Sequence, residues 1–149
     1  MPIVRSSVLI QSSPERVAAV LLDPSLAPRW TAGLERLEVI SGEPGVAGCV
    51  GHAHYREGRR RYVLEDVLED VTPGRHYRSR ITGGGISVAV ETRLESVAPD
   101  ATRLSLRWEG HGTTLGSKVM LPLLKRRIAQ RMATDLAALH RLCESSNGV

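Results

Sequence analysis

His52 and His54 are separated by one residue, so on a strand their imidazoles stand on the same face. Two groups that titrate near neutral pH at that spacing suit shared acid–base work or the beginning of a metal site. A metal would need a third ligand, and none stands at a ligating distance in the chain, so no metal is expected. Tyr77 shares strand parity with Ser79 and Ile81, opposite Arg78 and Arg80. A buried phenol at that position needs a hydrogen-bond partner, and a ligand carbonyl would serve. These residues form one catalytic hypothesis, with His52 or His54 as base and Tyr77 as proton donor. No Ser-His-Asp or Cys-His arrangement can be argued from spacing. Gly83-Gly84-Gly85 lacks the Lys and helix that follow a phosphate loop, so it reads as a turn. No cofactor is implied.

A second group of residues suits contact with an apolar ligand. Trp108 and Leu106 alternate with Arg107 and Glu109 and share one strand face. Trp30 follows a short helical stretch, and His111 stands at the end of the last strand. Met120, Leu124 and Ile128 lie at the start of a long apolar stripe. All seven are candidate ligand-binding residues, and each has a plainer role as core packing or surface.

The elements that must position them can be read from periodicity. Val4 to Ile10 is a strand, followed by Ser13-Pro14-Glu15, an N-cap with proline at the first helical position. That helix stops before Pro24, and Pro28 with Trp30 suggests one further turn. Leu34 to Ser41 reads as a strand, although its pattern also admits a helix. Five strands follow: Cys49 to Tyr55, Arg60 to Val71, Arg75 to Thr82, Ile86 to Val97, and Thr102 to Gly110. Turn residues separate them at roughly ten-residue spacing, the pattern of an antiparallel meander. Charges occur in both parities of Arg60 to Val71, which predicts a bulge. Beyond Gly112 the period becomes helical. Leu121, Leu124, Ile128, Met132, Leu136, Leu139 and Cys143 form one stripe from Leu115 to Glu144, and Pro122 should kink its start.

Composition bounds the class. The chain has 149 residues, 42% hydrophobic and 24% charged, enough for one folded domain spanning 1–149. Its two cysteines, Cys49 and Cys143, are far apart and read as reduced core residues, and no signal-peptide pattern opens the chain, so a cytoplasmic location is expected. The formal charge is +4, but acids are interleaved and no basic-aromatic motif appears, so nucleic acid is not an expected partner. Lys118 to Arg127 is different: apolar residues flanked by cations there would suit an anionic membrane or an acidic carrier domain.

The order strand, short helices, meander, long C-terminal helix resembles the START-like superfamily, which includes the polyketide cyclase/dehydrase and lipid-transport families and the birch-pollen allergen family. The likeness rests on Ser13-Pro14-Glu15-Arg16-Val17, Asp23-Pro24, Trp30, the strand-turn run Asp70-Val71-Thr72-Pro73-Gly74-Arg75, and Leu121-Pro122-Leu123-Leu124 leading into the stripe. It implies an α+β helix-grip (START/Bet v 1-like) fold, in which a curved antiparallel sheet wraps a long C-terminal helix and two short helices follow the first strand. It also implies that a hydrophobic small molecule, lipid- or polyketide-like, occupies the space between sheet and helix, with Trp30 at the pocket edge. The absence of Phe supports an incompletely filled interior. Aromatase/cyclase members carry a Trp-rich strand where this chain reads Arg61 to Asp66, without Trp, which counts against aromatase chemistry. Binding is the first expectation, a cyclase or dehydratase using His52, His54 and Tyr77 the second, and a membrane or protein contact through Lys118 to Arg127 the third.

Overall fold

The computed structural model describes residues 2–145. Strand β1 (Ile3–Ile10) leads into α1 (Pro14–Leu21) and the single-turn α2 (Ala27–Trp30). The meander follows as β2 (Leu34–Ser41), β3 (Val50–Glu57), β4 (Arg60–Thr72), β5 (His76–Gly83), β6 (Ile86–Ala98) and β7 (Ala101–Gly112). Two helices close the chain, α3 (Leu115–Leu123) and α4 (Lys125–Ser145). The strands form one antiparallel sheet in the order β1-β7-β6-β5-β4-β3-β2, so the first strand pairs with the last.

Local chemistry explains the boundaries. The Ser13 hydroxyl accepts the Arg16 amide, and Pro14 opens α1 as its sequence requires. The long C-terminal stripe is two helices rather than one. Pro122 has no N–H to give the Lys118 carbonyl. The Leu124 amide then reaches both Met120 and Leu121 carbonyls, at 3.2 and 3.1 Å, and Leu124 leaves the helical conformation at φ −94° and ψ 0° before α4 begins. The expected bulge in β4 lies between Leu68 and Asp70, where Glu69 is displaced.

Cross-strand registers assign every strand two faces. The inner face carries Val4, Val8 and Ile10 of β1, paired with Trp108, Leu104 and Thr102 of β7. Thr92 and Leu94 of β6, Tyr77 and Ile81 of β5, and Leu64 and Leu68 of β4 continue it. One end of this face is filled. There Ile10, Val17, Leu104, Leu136, Leu139 and Cys143 are fully buried around the second half of α4. Complete burial of side chains of that size contributes about 1.5–3 kcal/mol each, so this end anchors the fold. The Gln11 amide donates to Glu144 at 2.9 Å and pins the end of α4 to the end of β1.

Candidate functional site

Toward the other end the inner face is less completely buried. Leu64, Ile81, Val90 and Trp108 stand on the inner face and are only half-buried, and Leu106 beside them packs on the edge of the filled core. Leu124 and Ile128 of the helical side are half-buried too. The Trp108 indole lies flat over Gly110 two residues on, where an added Cβ would collide with the ring carbons. Glycine at that position lets the ring fold along the strand instead of filling the centre.

Three polar groups reach this apolar end. Asp66 of β4 is paired with Gly51 of β3 and Ile81 of β5, on the inner face. Burial pushes its carboxyl up to about 6, opposed by a hydrogen bond from the Ser79 side chain. Tyr55 of β3 lies on the same face, and burial pushes its phenol up to about 12. Both residues keep some accessible surface despite that desolvation. Both are ionisable groups desolvated on the inner face, which makes them candidates for a ligand contact. A third polar group, the Trp30 indole nitrogen, is buried without a hydrogen-bond partner among the described residues, and its ring packs against the filled core.

A clamp holds the helix across this end. Arg131 of α4 donates to the Glu57 carboxylate at 2.8 Å and to the Ala32 carbonyl. Its guanidinium lies 5.4 Å from the Tyr55 ring centre, and Tyr55 stacks on Tyr62 at 5.3 Å. Asp135, one turn on, accepts the Ala32 amide at 3.0 Å. Both backbone groups of Ala32 are thus held by one helix. The Tyr62 hydroxyl hydrogen-bonds Glu57 as well, and these contacts hold the Glu57 carboxyl below its usual range.

The residues expected to act together are separated. His52 and His54 occupy the outer face, where His54 lies 3.2 Å from Glu38 and His52 lies 3.9 Å from Glu65. Tyr77 is on the inner face, 5% exposed, within the filled core. Its hydroxyl accepts the Gly74 amide at 2.7 Å and fastens the β4–β5 turn. The base-and-donor set of His52, His54 and Tyr77 is therefore corrected: a sheet lies between the histidines and the phenol. His111 pairs with Ser87 on the outer face and is exposed. Met120 points away from the body and is 51% exposed. Trp30, Leu106, Trp108, Leu124 and Ile128 do face the interior side of their elements. Cys143 is fully buried, and burial pushes its thiol up to about 11, which leaves it inert. No cluster of three metal-ligating side chains occurs among the described residues.

Sequence reasoning missed Asp66 and Tyr55. Asp66 sits among Glu65, Glu69 and Asp70, and only the register shows which of these acids turns inward. A shallow groove of about 390 Å³ is lined by Arg5, Glu91, Arg93 and Arg107 together with serines and Leu106.

The curved sheet and its C-terminal helix belong to a known pattern. The family model described as polyketide cyclase / dehydrase and lipid transport matches residues 1–144. The chain belongs to that family. A START superfamily protein from Mycobacterium smegmatis superposes with a TM-score of 0.81 at 13% identity, covering 97% of this chain and 99% of its own. The Zhui aromatase/cyclase from a Streptomyces species superposes at 0.80 with 18% identity, over 95% of this chain and 93% of its own. A protein from Thermus thermophilus gives 0.75 at 18% identity, over 97% and 99%. At these identities the likeness establishes the helix-grip fold of this polyketide cyclase/dehydrase and lipid transport family member. A comparison with curated proteins finds no match. No helix among the described residues is long and apolar enough to cross a membrane.

Proposed function

We propose that the protein binds an apolar small molecule carrying a hydroxyl or phenol group, between the open end of the sheet and the start of α4. The observation that carries this reading is Asp66, an acidic side chain turned to the inner face and desolvated there, in a residue that keeps some accessible surface. A ligand hydroxyl donating to Asp66 would compensate that desolvation, while Trp108, Leu106, Ile81 and Ile128 cover the apolar body. The family's description, which includes lipid transport, supports a ligand of this class.

A test uses two probes that differ by one donor, 2-naphthol and 2-methoxynaphthalene, in isothermal titration calorimetry. Naphthol should bind about tenfold more tightly, the worth of one hydrogen bond to a charged group. Asp66→Leu should abolish that preference, and the pair His52→Ala with His54→Ala should leave it intact. Equal binding of the two probes to the unaltered protein would overturn the assignment to Asp66. Absence of binding by either probe, together with a ligand-free mass in native mass spectrometry of protein from its own host, would overturn the binding reading.

A second reading, catalysis of a cyclisation or dehydration, is favoured by the same carboxyl. A group pushed up to about 6 can both give and take a proton near neutral pH. Release of altered product from a bound polyketide-like substrate, lost in Asp66→Asn while binding persists, would distinguish it from carriage.

A further inference from the structure

Helix α3 turns its apolar side outward. Leu115 is 81% exposed, Val119 61%, Met120 51% and Leu123 73%. Leu115, Val119 and Leu123 are spaced by four, so they form one row along the helix, with Met120 beside it. Only Leu121 of this helix is buried. The Ser117 hydroxyl donates to the Gly85 carbonyl at 2.7 Å and holds the opposite side of α3 to the sheet. The row is therefore fixed in its outward direction.

Charge along the chain on either side of the row has one sign. Between Glu109 and Asp135 the sequence contains no acidic residue, and Lys118, Lys125, Arg126, Arg127 and Arg131 lie in that interval. Arg131 is engaged with Glu57, whereas Lys118, Lys125, Arg126 and Arg127 are all exposed. A second copy of this chain, meeting the row face to face, would bring these cations against their own kind. Nucleic acid would leave the leucines without a partner. A convex apolar row beside flexible cations fits the plane of an anionic bilayer, where the side chains enter the acyl boundary and the cations meet the headgroups.

We propose that α3 docks the protein on an anionic membrane surface, with Leu115, Val119, Met120 and Leu123 inserted and Lys118, Lys125, Arg126 and Arg127 at the headgroup level. This contact is independent of any occupant of the interior. It also places the membrane against the helix that joins β7 to α4.

The whole chain contains two lysines, Lys118 and Lys125, and both belong to this surface. Amine acetylation followed by peptide mass spectrometry therefore reads the contact directly. The experiment incubates the full-length protein with vesicles of phosphatidylcholine containing about 30% phosphatidylglycerol, and with phosphatidylcholine alone, and follows co-sedimentation and labelling. The expected result is binding to the anionic vesicles, weakened by added salt, with Lys118 and Lys125 protected several-fold. Lys118→Glu with Lys125→Glu should weaken binding on the order of 30-fold or more. Leu115→Ser with Leu123→Ser should abolish it while circular dichroism stays unchanged, because both positions are exposed. No binding to anionic vesicles would overturn the proposal. Self-association, or binding of an acidic protein, that is lost in the leucine variant while vesicles fail to bind would overturn it in favour of a protein partner.

Discussion

A carboxyl facing an apolar interior costs stability when it ionises, and that cost gives Asp66 a pH signature. Its carboxyl is raised from the ordinary 3.8 to about 6 in the folded protein, so between those values the folded state holds more proton than the unfolded chain. Stability from this group is fully present below about 3.8 and is lost as pH rises through about 6. The difference amounts to at most about 3 kcal/mol. Asp66→Asn removes the ionisation, so the variant should gain melting temperature relative to the unaltered protein at about pH 7.5 and gain much less at about pH 4.5. A gain of equal size at both pH values, measured by thermal unfolding, would place the carboxyl in water. Tyr77 makes the opposite case, a polar group with a fixed protein partner. Tyr77→Phe loses the bond from Gly74 and should cost about 1 kcal/mol in denaturant unfolding, with no change in ligand affinity. A lost affinity at unchanged stability would return Tyr77 to the binding site.

At the scale of the element, the decisive contact is the approach of α3 to the end of β7. A Cβ added at Gly112 would collide with the Lys118 backbone nitrogen, and backbone cannot give way as a side chain can. Gly112→Ala should therefore lift α3 from the sheet at a cost of about 1–3 kcal/mol. Hydrogen exchange should quicken in α3 and stay unchanged in the β6–β7 ladder. Unchanged exchange in α3 would mean that Leu121 and the Ser117 bond to Gly85 hold the helix without the close approach at Gly112. This join was hidden in the sequence, where one continuous stripe suggested one helix and Pro122 only marked a kink. Strand β7 was legible because Thr102, Leu104, Leu106 and Trp108 alternate with charge. Strand β3 was legible as a strand but its inward face was not, because that face carries Gly51, Ala53 and Tyr55 while Val50 shares the outer face with His52 and His54. Small residues there admit the clamp and the acid beside them, so hydrophobicity no longer marks the inside.

Across the whole molecule the two ends of one helix–sheet interface have different tasks. Order, class and topology were legible from punctuation and period, since turns, caps and alternation act locally. Which half of the interior closes was not, because it depends on residues brought together from β1, β7, α1 and α4. The closed half buries Ile10, Leu104, Leu136, Leu139 and Cys143 completely, and its amides can exchange only by opening that packed core. The open half rests on half-buried side chains and on the Arg131 and Asp135 bonds to Ala32. Native-state hydrogen exchange should therefore fall into two classes, with Leu136 to Cys143 and β1 slowest and Lys125 to Ile128 with α3 faster by at least about tenfold. A bound 2-naphthol should slow the second class alone, since the first has no space left to fill. Uniform protection along α4 would mean that the interior opens as a single unit, and protection gained in the closed half would move the ligand away from Asp66.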